Sequence, residues 1–155
     1  MNVRLALRAD AAGIAALSRD EIEQGLGWSW NEARVSAAIR NVDTNVAVIG
    51  ETDALRAFGL MAYREEAAHL LLFGVHPAHR RQGLGGTLLR WLEQVAVDAG
   101  IQRITIECRR DNAPARHFYA EQAYHELAID KGYYRSNSGR VIDAIRLEKQ
   151  LRHGD

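Results

Sequence analysis

The chain has 155 residues, 47% of them hydrophobic and 26% charged, and its 20 Lys and Arg balance its 20 Asp and Glu. A chain of this length buries about 68–70% of the surface exposed when unfolded, so a single domain over residues 1–155 is expected. Zero net charge gives no basis for general nucleic-acid or anionic-membrane binding, and the lone Cys108 allows neither an internal disulfide nor a multi-cysteine metal site.

The N-terminus, Met1-Asn2-Val3-Arg4, has no basic-then-apolar leader, and no apolar run reaches the roughly 18 residues of a membrane span. A cytoplasmic protein is expected, as a monomer or homodimer. Alternation of Val3, Leu5 and Leu7 with Arg4 and Arg8 predicts an opening strand. Asp10 is placed to cap a helix running to about Glu23, with Ile14, Ala15 and Ile22 as its apolar stripe. A second helix is expected from Ser29, where Ser29 and Glu32 have capping-box spacing, and Val35, Ala38, Ile39 and Val42 share one face.

Three strands are predicted next, Asn45–Gly50, Leu55–Arg64 and Ala67–Val75, joined by links short enough for antiparallel hairpins. The run Leu70-Leu71-Leu72-Phe73-Gly74-Val75 is apolar on both faces and belongs in the middle of a sheet. Pro77 ends it. A helix from Leu84 to Ala99 turns Leu84, Leu88, Leu92, Val95 and Ala99 inward and stops at Gly100. In the following strand, Gln102–Cys108, alternation puts Ile104, Ile106 and Cys108 on one face and Arg103, Thr105 and Glu107 on the other. Asn112 precedes a short helix with Pro114 in its first turn. Strands near His125–Tyr134 and Val141–Glu148 close the chain around the polar loop Ser136-Asn137-Ser138-Gly139. The order predicts an α/β (α+β) fold: one mixed, mostly antiparallel sheet of six to seven strands with about four helices on its two faces.

The most informative segment, Val75-His76-Pro77-Ala78-His79-Arg80-Arg81-Gln82-Gly83-Leu84-Gly85-Gly86, joins the buried strand to a helix start. Its glycines let backbone N–H groups approach a ligand, the helix start adds unpaired donors, and Arg80 and Arg81 add positive charge. A diphosphate ligand is predicted. A Walker loop needs a lysine after its glycine, and the first lysine in the chain is Lys131. The dinucleotide fingerprint G-x-G-x-x-G starts at Gly83 and Gly85 but meets Leu88 at its last position, and the strand ends too early for it.

Arg80-Arg81-Gln82-Gly83-Leu84-Gly85-Gly86 resembles the R-x-x-G-x-G/A loop of the GNAT superfamily of N-acetyltransferases. The resemblance runs from Val3 through Leu147 and is most specific between Leu70 and Tyr124. It implies the GNAT acyl-CoA N-acyltransferase fold and acetyl-CoA as cofactor, with the loop residues, Leu84 included, on the pyrophosphate. Phe73, Gly74 and Val75 would lie along the pantetheine arm, with Gly74 permitting a local bulge.

The stretch Ile106-Glu107-Cys108-Arg109-Arg110-Asp111-Asn112 through Tyr119 is similar to the L-E-V-R-x-x-N-x-x-A-x-x-L-Y pattern of the bacterial ribosomal-protein N-terminal alanine acetyltransferases. That match implies Glu107 as general base, Tyr119 as general acid and Asn112 as a cofactor contact. The chemistry asks for these groups. An amine is protonated at neutral pH and must lose a proton before it attacks a thioester, and a phenol can protonate the departing thiolate. A backbone N–H of Phe73–Val75 would steady the oxyanion.

Tyr133-Tyr134 and Asp143-Ala144 resemble the same family's Y-Y…D-A segment, and Gly27-Trp28-Ser29-Trp30 stands where it has P-W-S. Trp28, Tyr133, Tyr134 and Asp143 are therefore candidates for the amine substrate, with Glu65 and Glu66 as further acids able to attract an ammonium. Gly27 for proline and Ala123-Tyr124 for G-F depart from the pattern and bear on the acceptor: a peptide or protein N-terminal α-amine, or a small-molecule amine. His76 and His79 lack a third ligand, so no metal is expected. A non-catalytic acyl-CoA-binding module and a nucleotide-dependent oxidoreductase are the rival functions.

Overall fold

A computed structural model describes residues 2–23, 25–26 and 29–151. Its strands are β1 (Val3–Leu5), β2 (Thr44–Glu51), β3 (Ala54–Tyr63), β4 (Ala67–Val75), β5 (Arg103–Arg109), β6 (His125–Arg135) and β7 (Val141–Gln150). Its α-helices are α1 (Ala11–Leu17), α2 (Glu32–Arg40), α3 (Leu84–Asp98) and α4 (Ala113–Glu121). The strands form one seven-stranded sheet in the order β1-β2-β3-β4-β5-β7-β6. All neighbours pair antiparallel except β4 and β5, which run parallel because α3 carries the chain back between them. This is the mixed sheet that the order of elements predicts.

Two apolar clusters cover the two faces. Leu84, Leu88 and Leu92 of α3 and Tyr119 of α4 pack on Ile104, Ile106 and Leu147. Ile14 of α1 and Val35 of α2 pack on Val46, Val48, Phe58 and Leu60. The stripe of α3 is wider than predicted: Leu89 and Ala96 are fully buried, whereas Ala99 follows the last turn and is exposed.

Five local expectations change. The chain leaves the edge of the sheet after Leu5, so Leu5 and Leu7 are exposed and only Val3 of that alternating set packs on the core. Asp10 does not cap α1 with its side chain. Its carboxylate instead accepts from Leu7 N at 2.7 Å and from Arg4 Nη1 at 2.8 Å, pinning β1 to the first turn. The helix to Glu23 is not uniform: α1 ends at Leu17 and a π-turn takes over from Ser18 to Ile22. The cap of α2 is Asn31, whose side chain accepts from Arg34 N at 2.9 Å, because Ser29 is committed to Glu23. Val42 lies past the end of α2 and is 96% exposed.

Burial raises the proton affinity of Asp10, but the hydrogen bonds from Arg4, Leu7 and Thr52 outweigh it and hold the group below the ordinary carboxylate range. Its stabilising effect is therefore present at neutral pH and is lost as pH falls through its depressed folded-state value. Asp10→Ala should cost about 1–3 kcal/mol in urea denaturation, because it takes the acceptor from the Leu7 N–H and from one side of the Arg4 guanidinium, which keeps its bonds to Gly50 O.

Candidate active site

The site begins where the two parallel strands part. β4 and β5 pair only from Ala67–Arg103 to Leu70–Ile106. Beyond that, Leu71–Val75 on one side and Glu107–Arg109 on the other diverge without a ladder between them. A bulge accompanies the divergence: Leu60 pairs with Leu72 and Met61 with Leu70, leaving Leu71 as the extra residue. One inserted residue reverses which face later side chains occupy. Leu70 lies in the α3 cluster and Leu72 in the α1/α2 cluster, while Phe73 and Val75 return to the α3 side. The bulge expected at Gly74 is thus at Leu71. Gly74 serves a different purpose, since a Cβ there would lie 3.0 Å from Cε1 of the buried Phe58 ring.

The basic loop closes one mouth of this opening. Gly83 takes φ +75° and serves as N-cap of α3, with no side-chain cap on the first-turn amides. Gly85 is buried, and a Cβ there would sit 3.3 Å from the Phe118 ring. The helix start therefore keeps its N–H groups available while α4 packs close behind it. Arg81 also adopts a left-handed backbone, φ +63°, and Arg80, Arg81 and Gln82 are exposed. Arg80 is anchored: it donates to Glu21 Oε2 at 2.8 Å and to Val75 O at 3.3 Å. Glu21 lies on the π-turn, so the basic loop and the segment after α1 are tied together. Uncapped amides, exposed guanidinium groups and a glycine with no room for a side chain suit a diphosphate.

Glu107 stands on β5 at the point of divergence, on the face opposite Ile106 and Cys108. Its Oε2 is, among the described residues, the buried side-chain oxygen with no hydrogen-bond partner. Burial, reinforced by hydrogen bonding to and repulsion from Asp130, pushes its carboxyl up to about 7, against a smaller opposing pull from Arg146. A carboxylate in that range can accept a proton near neutral pH. Among the described residues, the arginine neighbours of this strand-face glutamate have other acids as ion-pair partners. Arg109 pairs with Asp111 at 3.1 Å, and Arg103 lies 3.8 Å from Glu66 and 3.9 Å from Glu148.

Tyr119 comes from the other side of the sheet. It is buried on α4 among Phe118 (5.3 Å), Tyr124 (5.9 Å) and Phe73 (6.3 Å), measured between ring centroids. Burial, together with Cys108 and Tyr134, raises its phenol above the ordinary value, so it keeps its proton. Cys108, buried as predicted, is a thiol held up to about 11 by burial and suits packing better than nucleophilic attack. Asn112 caps α4, its side chain accepting from Ala115 N at 3.2 Å, and it is exposed at the mouth of the divergence. His117, a neighbour of Tyr119 in sequence, pairs outward with Glu121 at 2.7 Å.

On the amine side, Tyr133 and Tyr134 form an edge-on pair with ring centroids 4.8 Å apart. Tyr134 neighbours both Glu107 and Cys108, and Tyr133 neighbours Glu107 and Asp130. Asp143 already has partners: it accepts from Gly132 N at 3.0 Å and Arg110 Nη1 at 3.1 Å. It holds the irregular stretch between Asp130 and Tyr134, where three residues of β6 oppose one of β7, and thereby positions the two tyrosines. Glu65 and Glu66 are removed from the role of attracting an ammonium, because they precede β4 at the closed end, four residues of β5 away from Glu107. Trp28 lies outside the described residues. The segment beside it crosses to the β6–β7 loop through a Leu26–Ser136 bridge and an Asn137 N to Gly25 O bond of 2.9 Å.

Sequence reasoning missed the group that shapes this segment. Glu23 is 7% exposed and accepts from Ser18 Oγ (2.9 Å), Ser29 N (2.8 Å), Ser29 Oγ (2.6 Å) and Trp30 N (3.2 Å). It staples the two ends of the loop across the π-turn, and nothing in the local pattern around it announces that role. Among the described residues no three His, Cys, Asp or Glu side chains group as metal ligands, and no helix is long and apolar enough to cross a membrane.

The family model for the acetyltransferase (GNAT) family matches residues 15–124. This chain belongs to the GNAT acetyltransferase family. The [Ribosomal protein bS18]-alanine N-acetyltransferase of Escherichia coli (strain K12) is 33% identical over 91 residues, 59% of this chain. The match spans 61% of that relative's length. The crystal structure of the Escherichia coli ribosomal-protein-S18-alanine enzyme has the same fold, with a TM-score of 0.79 at 24% identity over 99% of this chain and 96% of that one. Arabidopsis thaliana NAA60 with a bisubstrate analogue gives 0.84 at 14% identity, covering 99% of both chains. The same protein with acetyl-CoA gives 0.83 at 14% identity, over 97% of this chain and 98% of that one. In this GNAT chain Glu107 stands where β4 parts from β5, and the basic loop follows the end of β4.

Proposed function

We propose that the protein, as a single cytoplasmic domain over residues 1–155, transfers acetyl from acetyl-CoA directly to a primary amine. The favoured acceptor is the N-terminal α-amine of a peptide or protein. The observation that carries the reading is the placement of Glu107: a carboxylate pushed up to about 7, with one oxygen unpartnered, at the point where β4 and β5 part.

Acetyl-CoA, when bound, supplies an acetyl group activated as a thioester. Gly83, Leu84, Gly85 and Gly86 would hold its diphosphate through their amides, with Arg81 and Gln82 beside them, and the unpaired edge of Phe73–Val75 would run along the pantetheine arm. Glu107 accepts the proton that an acceptor ammonium must lose. Tyr119, protonated at neutral pH, would supply a proton to the departing sulfur, and the second proton that the nitrogen loses on becoming an amide would restore the balance. The α-amine reading draws on the bS18-alanine acetyltransferase relative and on Tyr133 and Tyr134, whose rings offer a surface for a peptide backbone.

An acceptor screen read by thiol release tests it: peptides with varied N-termini against polyamines and antibiotic amines. Turnover of peptides is expected. Turnover of small amines alone would move the acceptor class, and turnover of nothing would leave a non-catalytic acyl-CoA-binding module. In parallel, dephospho-CoA should bind and free pantetheine should bind far more weakly, because only the former carries the diphosphate.

A further inference from the structure

A second carboxylate stands at Glu107, and its position depends on an irregularity of β6. Glu126 of β6 pairs with Leu147 and Ala128 with Arg146, so Leu127 is an extra residue. Before that bulge the even-numbered Glu126 reaches Arg116 of α4, at 2.8 and 2.9 Å. After it the even-numbered residues face the other way, because one inserted residue reverses a strand's alternation. Ala128 and Asp130 now share the face of Glu107. The registers place Glu107, Arg146 and Ala128 in one row and Arg109, Ala144 and Asp130 in the next. Ala144, between Arg109 and Asp130, has only a methyl group, which leaves the Asp130 side chain free to lean across β7 toward Glu107. Arg146 Nη2 lies 3.5 Å from Asp130 Oδ1.

Resting on the reading of Glu107 as proton acceptor, we propose that Asp130 is a positioning residue of the transfer site: its carboxylate, tethered by Arg146, shares a proton with Glu107 and keeps that side chain aimed and ready to accept one. Two carboxylates at hydrogen-bonding range cannot both be fully ionised without repulsion, so Asp130 favours the protonated form of Glu107. Burial and Asp130 act on Glu107 in the same direction, and Arg146 opposes them. Other charged or titratable groups face Glu107 among the described residues. From β6 they are the phenols of Tyr133 and Tyr134, from β5 Arg109, bound to Asp111, and on β4 His69 hydrogen-bonds Thr105 Oγ1 at 2.6 Å. Asp130 also gives the proton a way out. Its side chain is 32% exposed, whereas Glu107 Oε2 is buried, so a proton taken up by Glu107 can pass through Asp130 to solvent before the next turnover.

The test uses two variants of opposite sign. Asp130→Asn keeps the shape and removes the repelling charge; Arg146→Gln removes the opposing cation. The Glu107 carboxyl resonance, assigned by its loss in Glu107→Gln, is titrated by carbon-13 NMR in the intact apo protein, and the acid limb of the kcat/KM profile is measured alongside. Asp130→Asn should move the Glu107 midpoint down by about one pH unit and Arg146→Gln should move it up by a similar amount. The kcat/KM limb should follow both. Neither variant should unfold the protein, since both side chains lie partly in solvent. A Glu107 titration unmoved by Asp130→Asn, or moved the same way by both variants, would overturn the inference and leave Asp130 as a strand-to-strand ion pair. The reading of Glu107 itself fails separately, by full activity in Glu107→Gln.

Discussion

Glu107→Gln should lower kcat by about 10²–10³-fold while leaving the dissociation constant for acetyl-CoA unchanged. The amide is nearly isosteric with the carboxyl, so what is lost is the ability to take a proton from the acceptor ammonium. Glu107 sits at the divergence of β4 and β5, whereas the amides proposed for the diphosphate belong to the loop before α3, so cofactor affinity has no reason to move. Calorimetry with acetyl-CoA and steady-state kinetics on the same preparation separate the two. Residual activity in the variant should lose the acid limb near pH 7 that the wild-type carboxyl, held up to about 7, imposes. Stability should change in the opposite sense to activity. The folded protein holds this proton more tightly than the unfolded chain does, whose reference value is 4.5. The wild type is therefore stabilised by the group at acid pH and loses that increment as pH rises through about 7. Above that pH the glutamine variant should match or exceed the wild type, by about 1 kcal/mol once solvent screening of a partly exposed site is allowed for. A variant that is less stable at pH 8 would show that the carboxylate has structural partners beyond Asp130 and Arg146.

Tyr119→Phe should reduce kcat by about 10²-fold with thermal stability preserved to within ~1 kcal/mol. The ring packs against Phe118, Phe73 and Tyr124, and phenylalanine retains those contacts. Only the hydroxyl is removed. Tyr119→Ala, in contrast, should cost about 3–5 kcal/mol, because it opens a cavity in the core between α4 and the sheet. Comparing the two in chemical denaturation and in turnover distinguishes a proton donor from a packing aromatic. Unchanged kcat in Tyr119→Phe would transfer the donor role to Tyr134, the other phenol near Cys108 whose proton is held by burial. The pair Tyr119→Phe and Tyr134→Phe then identifies which hydroxyl the departing sulfur meets.

These expectations draw on two levels of information. Alternation of Ile104, Ile106 and Cys108 against Thr105 and Glu107 is a local property of a strand, and it placed Glu107 on the face away from the α3 core without reference to any partner. The three glycines after two arginines, at the junction of a strand and an amphipathic helix, likewise announced an anion site, because the missing Cβ atoms and the free amides of a helix start are local features. The order of strands and helices was enough for the mixed sheet. The amino-acid sequence by itself thus determined the fold and, with the family resemblance, singled out the loop proposed for the diphosphate and the side chains put forward as proton acceptor and donor.

What it left open depends on register. The bulges at Leu71 and Leu127 each insert one residue opposite a continuous partner strand, and nothing in their own neighbourhoods marks them. Yet the first turns Phe73 and Val75 toward α3, and the second brings Asp130 to the face of Glu107. Asp143, which resembled a substrate-binding acid, became a brace for the β6 irregularity once its distances to Gly132 and Arg110 were known. Ser29, whose spacing suited a helix cap, was claimed by Glu23 across a turn. Only the tertiary structure decided these partners, since a long-range hydrogen bond or ion pair is chosen by which side chains strand pairing brings within about 3 Å, and that choice is not encoded in spacing along the chain.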